Sequence, residues 1–180
     1  MKGLVFTEFM NLVESKFGED MMDDIIDDTD PQSGGAYTAV GTYDHSELVD
    51  MVVALSNRTD VPVPALINAF GHHLAEAFAT KFTAFFDEAA STIDFLKSID
   101  NHIHVEVAKL YPDAELPEFN FDDSDPDKFV LNYSSTRGFA DLAEGLIEGT
   151  AKYYNEDISI SREDSVSGDI HQAQFIITYN

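Results

Sequence analysis

The feature that most constrains this chain is a change of hydrophobic period around Tyr111-Pro112 and Pro117. Up to Leu110, apolar residues recur every three or four positions, the spacing of a helix face. After Pro117 they alternate, the spacing of a strand with one covered face. Proline lacks the N–H a helix needs and its ring clashes with the preceding turn, so Tyr111-Pro112 ends the helical run.

On the helical side, Leu4, Val5, Phe9, Leu12, Val13 and Phe17 share one face, and Gly18 closes the segment. A second, acidic helix follows around Met21 to Ile26, then a turn-rich loop at Pro31-Gln-Ser-Gly-Gly35. Asp44 with Glu47 reads as a capping box for a helix through about Leu55. Pro62 and Pro64 open another helix, carrying Leu66, Ile67, Phe70, Leu74 and Phe78. The last helix of this half runs from roughly Thr92 to Leu110, with Leu96, Ile99, Ile103, Val107 and Leu110 as its apolar stripe.

Beyond Pro117, strands are expected at Glu118–Asp122 and Lys128–Thr136, separated by a turn rich in Asp, Ser and Pro. A helix from Gly138 to Tyr154 follows, with Phe139, Leu142, Leu146 and Ile147 apolar. Ile158–Arg162 and Ile170–Tyr179 read as two further strands. The fold class is therefore α+β: a helical N-terminal part followed by an antiparallel sheet with one packed helix. Residues 1–180 read as one domain, with a helical part at about 1–60 and an α/β part at about 61–180.

Composition narrows the chemistry. Cysteine is absent, which removes disulfides, thiolate nucleophiles, iron–sulfur clusters and cysteine-ligated haem. A metal would have to be held by His, Asp, Glu or Tyr. The net charge of −24 repels phosphate, so neither nucleic acid nor an anionic membrane surface is an expected partner. No apolar run approaches the roughly 20 residues that cross a bilayer, and the N-terminus does not read as a signal peptide. A cytoplasmic protein is expected.

Among the six histidines, His102 and His104 form an H-x-H pair inside a helix. Residues two apart on a helix point roughly 200° apart, so the two rings cannot share one zinc ion. His102 is flanked by Phe95, Glu106 and Lys109, a partly charged border suited to solvent. His104 neighbours Ile93, Ala108 and Tyr111, and the small Ala108 leaves room for a flat group to approach. The residues alone leave His104 as either a packed boundary histidine or a ligand.

Tyr133-Ser134-Ser135-Thr136-Arg137 ends a strand, and alternation puts Tyr133, Ser135 and Arg137 on one face. Two hydroxyls and a guanidinium in a row suit carboxylates, because arginine can grip them with two charge-assisted hydrogen bonds. The alternative is an arginine that pairs with one of the many acids nearby.

Taken in order, these features resemble the haem–nitric oxide/oxygen binding (H-NOX) family, bacterial relatives of the soluble guanylate cyclase haem domain. The family's Y-x-S-x-R is matched by Tyr133, Ser135 and Arg137, and its histidine before a Tyr-Pro pair by His104 with Tyr111-Pro112. The Met-Lys-Gly start, Phe70-Gly71 and Gly-Leu-Ile-Glu-Gly at 145–149 also match. The resemblance covers essentially the whole chain. It implies haem b buried between the two halves, His104 as iron ligand, and Tyr133, Ser135 and Arg137 on the propionates. Pro117 matches a proline that presses on the haem.

The resemblance also implies a distal wall of Val5, Phe9, Leu74, Phe78 and Leu142. Oxygen-binding members place a tyrosine at the position of Leu142, so a leucine there implies NO and CO as ligands and exclusion of O2. Signalling is then expected through release of His104 and relaxation of the haem. A separate partner, typically a histidine kinase or a cyclic-di-GMP enzyme, is implied, since the sensor uses the whole length. No phosphate loop, G-x-S-x-G or H-E-x-x-H occurs, and no enzyme is expected. The rival readings are an O2-binding sensor of the same family and a haem-free acidic interaction module.

Overall fold

A computed structural model describes residues 1–180. Four helices build the first half: α1 (Gly3–Phe17), α2 (Glu19–Thr29), α3 (His45–Thr59) and α4 (Val63–Lys81). Gly18, at φ +94°, makes the sharp break between α1 and α2, a conformation that suits a residue without Cβ. Phe6, Phe9 and Val13 of α1 meet Met22 and Ile25 of α2, Leu48, Met51 and Leu55 of α3, and Phe70 and Leu74 of α4. Burial of each such large apolar side chain stabilises the fold by about 1.5–3 kcal/mol. The Met-Lys-Gly start is tied to a later loop: Met1 N donates to Tyr43 O (2.7 Å) and Gly3 N to Gly41 O (2.8 Å).

The capping box expected at Asp44 is only half formed. Asp44 Oδ1 accepts from Ser46 N–H at 2.9 Å. Glu47 does not reach back; its carboxylate instead accepts from Ser33 Oγ (2.6 Å) and Tyr37 Oη (2.7 Å), pinning the 31–43 loop onto α3.

A short helix not expected from sequence, α5 (Thr83–Asp87), carries Phe85 and Phe86. The helical stretch after it begins and ends as expected but is not uniform. It comprises α6 (Thr92–Ser98), a π turn (Ile99–Ile103) and α7 (His104–Leu110). Tyr111 N–H closes on Val107 O, after which Pro112 prevents continuation. Leu110 is not part of a buried stripe: it is 63% exposed.

The second half is a four-stranded antiparallel sheet in the order β1-β2-β4-β3, formed by Glu118–Asp122, Phe129–Ser135, Ile170–Tyr179 and Ile158–Ser167 respectively. Strand β3 extends five residues past its expected end. Its outer part, Glu163–Ser167, shows no apolar alternation, yet pairs in register with β4 as far as Ser167 opposite Ile170. Helix α8 (Ala140–Tyr153) lays Ala143 and Ile147 over Phe129, Leu131, Tyr133, Ala173, Phe175 and Ile177. Glycines bring α4 and α8 into backbone contact: a Cβ on Gly145 would stand 2.1 Å from Asn68 O, and one on Gly71 2.5 Å from Leu142 O. Helix α4 thereby joins the helical core to the α/β half. No helix is long and apolar enough to cross a membrane.

Candidate functional site

His104 opens α7 directly after the π turn, and its backbone N–H bonds to Ile99 O, five residues back. Such turns insert one extra residue into a helix and often mark functional positions. His104 and His102 diverge despite the irregular helix. His102 Nε2 lies 3.0 Å from Glu88 Oε2, half exposed and edge-on to Phe85. The His104 side chain is only 19% exposed, and its Nδ1 lies 3.0 Å from Asp100 Oδ1. An ionised carboxylate only accepts, so this contact puts a proton on Nδ1. In the neutral ring Nε2 then carries a lone pair. Burial pushes the His104 pKa below its ordinary value, against the opposing pull of Asp100, which favours that neutral ring.

The second oxygen of Asp100 accepts from Phe119 N–H at 3.0 Å, where β1 begins. Phe119 packs its ring 5.9 Å from His104 and 5.6 Å from Tyr133, its partner in the β1–β2 register. Asp100 was not singled out by sequence reasoning. The signal was available, because an acid four residues before a helical histidine shares its face.

The five apolar candidates converge. Phe9 and Leu74 are buried in the helical core, and Val5, Phe78 and Leu142 pack against it from α1, α4 and α8. Phe78 also packs on the small cluster of Ala79, Phe86 and Phe95, shared with Ile99 and Ile103 beside His104. The close α4–α8 contact at Gly71 and Gly145 thus brings Leu142 onto the apolar cluster that contains Phe9 and Leu74.

Of the Tyr133-Ser135-Arg137 row, Tyr133 and Ser135 lie in β2, and Arg137 lies two residues past its end, before Gly138 (φ +65°) turns the chain toward α8. Tyr133 is buried, and its Oη accepts from Phe139 N–H at 3.0 Å. Ser135 Oγ accepts from Arg137 N–H at 3.1 Å. Both hydroxyls keep their own protons for donation. Arg137 forms an ion pair with the exposed Glu115, so the alternative of a nearby acid is the arrangement present. Pro117 lies half-buried immediately before β1.

Arg162 fixes the start of α8. Its guanidinium contacts Asp141 Oδ1 (2.8 Å), Glu144 Oε2 (2.6 Å) and Asp164 Oδ1 (3.0 Å), holding the turn that carries Leu142 onto β3. No group of three or more His, Asp or Glu side chains is placed to hold a metal ion. A single neutral imidazole, apolar surroundings and hydrogen-bond donors for carboxylates fit a metal that brings its other ligands with it, as a porphyrin iron with its propionates does.

Comparison with known proteins places the fold and the family. The family model described as Haem-NO-binding matches residues 2–162. The chain superimposes on the Fe(II) unliganded H-NOX protein from K. algicida with TM-score 0.93 and 37% identity, covering 100% of this chain and 97% of that one. The IWP-051-bound H-NOX from Shewanella woodyi, in the Fe(II)CO ligation state, is 42% identical with TM-score 0.85, covering 100% and 95%. The H-NOX protein from S. oneidensis in the Fe(II)NO ligation state is 27% identical with TM-score 0.91, covering 100% and 99%. The fold is that of a haem-binding gas-sensor domain. The chain belongs to the Haem-NO-binding, or H-NOX, family.

Proposed function

We propose that this chain is a haem-based sensor that takes NO and CO and excludes O2, with haem b held by His104. When bound, the haem would supply a ferrous iron able to take a diatomic gas, with His104 as its protein ligand. The observation that carries this reading is the wall of Val5, Phe9, Leu74, Phe78 and Leu142, which contains no hydrogen-bond donor. Bound O2 draws negative charge onto itself and depends on a donor far more than NO or CO does.

Tyr37 and Tyr153 donate elsewhere, to Glu47 (2.7 Å) and Asp87 (3.5 Å), and Tyr43 Oη is held at Thr38, accepting from its N–H (2.9 Å) and lying 3.4 Å from its Oγ1. His104, whose Nδ1 is held by Asp100, would offer Nε2 to the metal. Tyr133, Ser135 and Arg137 donate to the propionates, Arg137 exchanging Glu115 for a propionate carboxylate. Pro117 presses on the haem edge from the β1 side. The H-NOX proteins of S. oneidensis and Shewanella woodyi in NO and CO ligation states support the choice of gases.

With haem bound, NO would weaken its hold on His104, and release of that side chain would free α7 and the π turn. The two halves then shift about the α4–α8 contact and present a changed surface to a separate partner, a histidine kinase or a cyclic-di-GMP enzyme. The test is His104→Gly, with added imidazole holding the haem. This variant should regulate the partner as the NO-bound protein does, without gas. A partner that still responds to NO in the variant as in the parent contradicts the mechanism.

A further inference from the structure

Asp100 makes two hydrogen bonds with its two carboxylate oxygens, to different parts of the molecule. Oδ1 accepts from His104 Nδ1 and Oδ2 from Phe119 N–H, both at 3.0 Å. One bond stays within the helix, and the other reaches the first residues of β1, whose Phe119 pairs with Tyr133. The His104 contact is an i,i+4 pair across the π turn, in which His104 N–H bonds back to Ile99 O.

We propose that Asp100 is a positioning residue for His104: it fixes the ring tautomer, increases electron donation from Nε2, and ties the ring's movement to β1. A ring N–H donated to a carboxylate carries partial imidazolate character, which makes the other nitrogen a stronger ligand. Stronger donation stabilises ferric over ferrous iron and lowers the reduction potential. It also opposes detachment of His104, setting a threshold that a gas must overcome. When the ring does leave, the same carboxylate carries the displacement to Phe119 and hence to the strand bearing Tyr133 and Ser135.

This inference rests on His104 binding the iron, and its test separates the two claims. The haem-loaded parent and Asp100→Asn are compared by the ferrous iron–histidine stretching frequency in resonance Raman spectra and by midpoint potential. Asparagine keeps the size but removes the charge, so the stretch should fall and the potential rise. Haem loss to an excess of apomyoglobin should quicken by about 10-fold or more, the scale seen when an outer partner of a metal ligand is removed.

Unchanged stretch and potential in a haem-loaded variant overturn the inference, even if the variant melts earlier, because a carboxylate that only caps Phe119 would affect stability alone. No iron–histidine band in the parent overturns the functional reading instead. Should Asp100→Asn lose its haem, the parent's CO complex decides by NMR. A slowly exchanging His104 Nδ1–H supports the inference, and a freely exchanging one overturns it.

Discussion

Replacing Gly145 by alanine tests the joint on which the geometry of the apolar wall depends. A Cβ there would stand 2.1 Å from Asn68 O, 2.9 Å from Asn68 C and 3.0 Å from Gly71 Cα. These are backbone atoms of α4 facing backbone atoms of α8, so no side chain can rotate away. The helices must separate by about 1 Å to restore an ordinary contact, which loosens the neighbouring contacts across a close-packed joint. Overpacking costs about 1–3 kcal/mol when side chains absorb it, and a rigid backbone contact belongs at the upper end. Alanine returns about 1 kcal/mol through helix propensity, leaving a net loss of about 2 kcal/mol.

For a chain of this size that is a fall in Tm of about 4–8 °C, measured by circular dichroism on apo and haem-loaded protein. Gly149→Ala is the graded comparison. Its Cβ would meet the Ala75 methyl at 2.5 Å, so the conflict is with one small side chain and the fall should be smaller. Alanine at 145 that leaves Tm unchanged or raises it would refute the account of how α4 and α8 fix Leu142 against Leu74.

Leu142→Tyr adds a hydroxyl to the wall, and a hydrogen bond to a charged acceptor contributes about 1.5–3 kcal/mol, or about 10- to 150-fold in O2 affinity. The variant's ferrous form in air should show an oxy spectrum, and a haem-loaded variant without one contradicts the assignment of the wall. Glu8 is 5% exposed and is held by His73 Nε2 (3.0 Å) and Lys81 Nζ (3.1 Å). Burial raises its pKa, but the hydrogen bonds from Lys81 and His73 prevail and leave it below the ordinary 4.5. Its stabilisation is thus fully present above that value and is lost as pH falls through the lowered one. Glu8→Gln should cost about 1–3 kcal/mol in urea unfolding at pH 7, with the gap to the parent closing below pH 4.5. A gap that stays constant across that range removes the charge from the explanation.

Elements whose signal is local were legible in the sequence. Helical spacing located α1 and α4, Tyr111-Pro112 located the end of α7, and alternation located β2 and β4. Features set by partners distant in sequence were not. The outer half of β3 is polar and owes its strand geometry to pairing with β4. The π turn before His104 leaves no composition signature. It changes which backbone carbonyl His104 uses. Arg137 stands two residues past the end of β2, where strand alternation no longer applies and Gly138 redirects the chain. His104, Leu142 and the residues of the wall were legible as apolar or boundary positions. Only resemblance to a family gave them a role, and the structure adds that Val5, Phe9, Leu74, Phe78 and Leu142 share one apolar cluster.

The central claim is that His104 presents iron to a wall without a donor, so that NO enters and O2 does not. The absorption spectrum of the reduced protein, recorded in air and again after NO without air, tests it most directly. One haem per chain is predicted, with a ferrous Soret band unchanged by air and shifted by NO. A stable oxy spectrum in air, or a colourless folded protein that takes up no haem, would contradict the account.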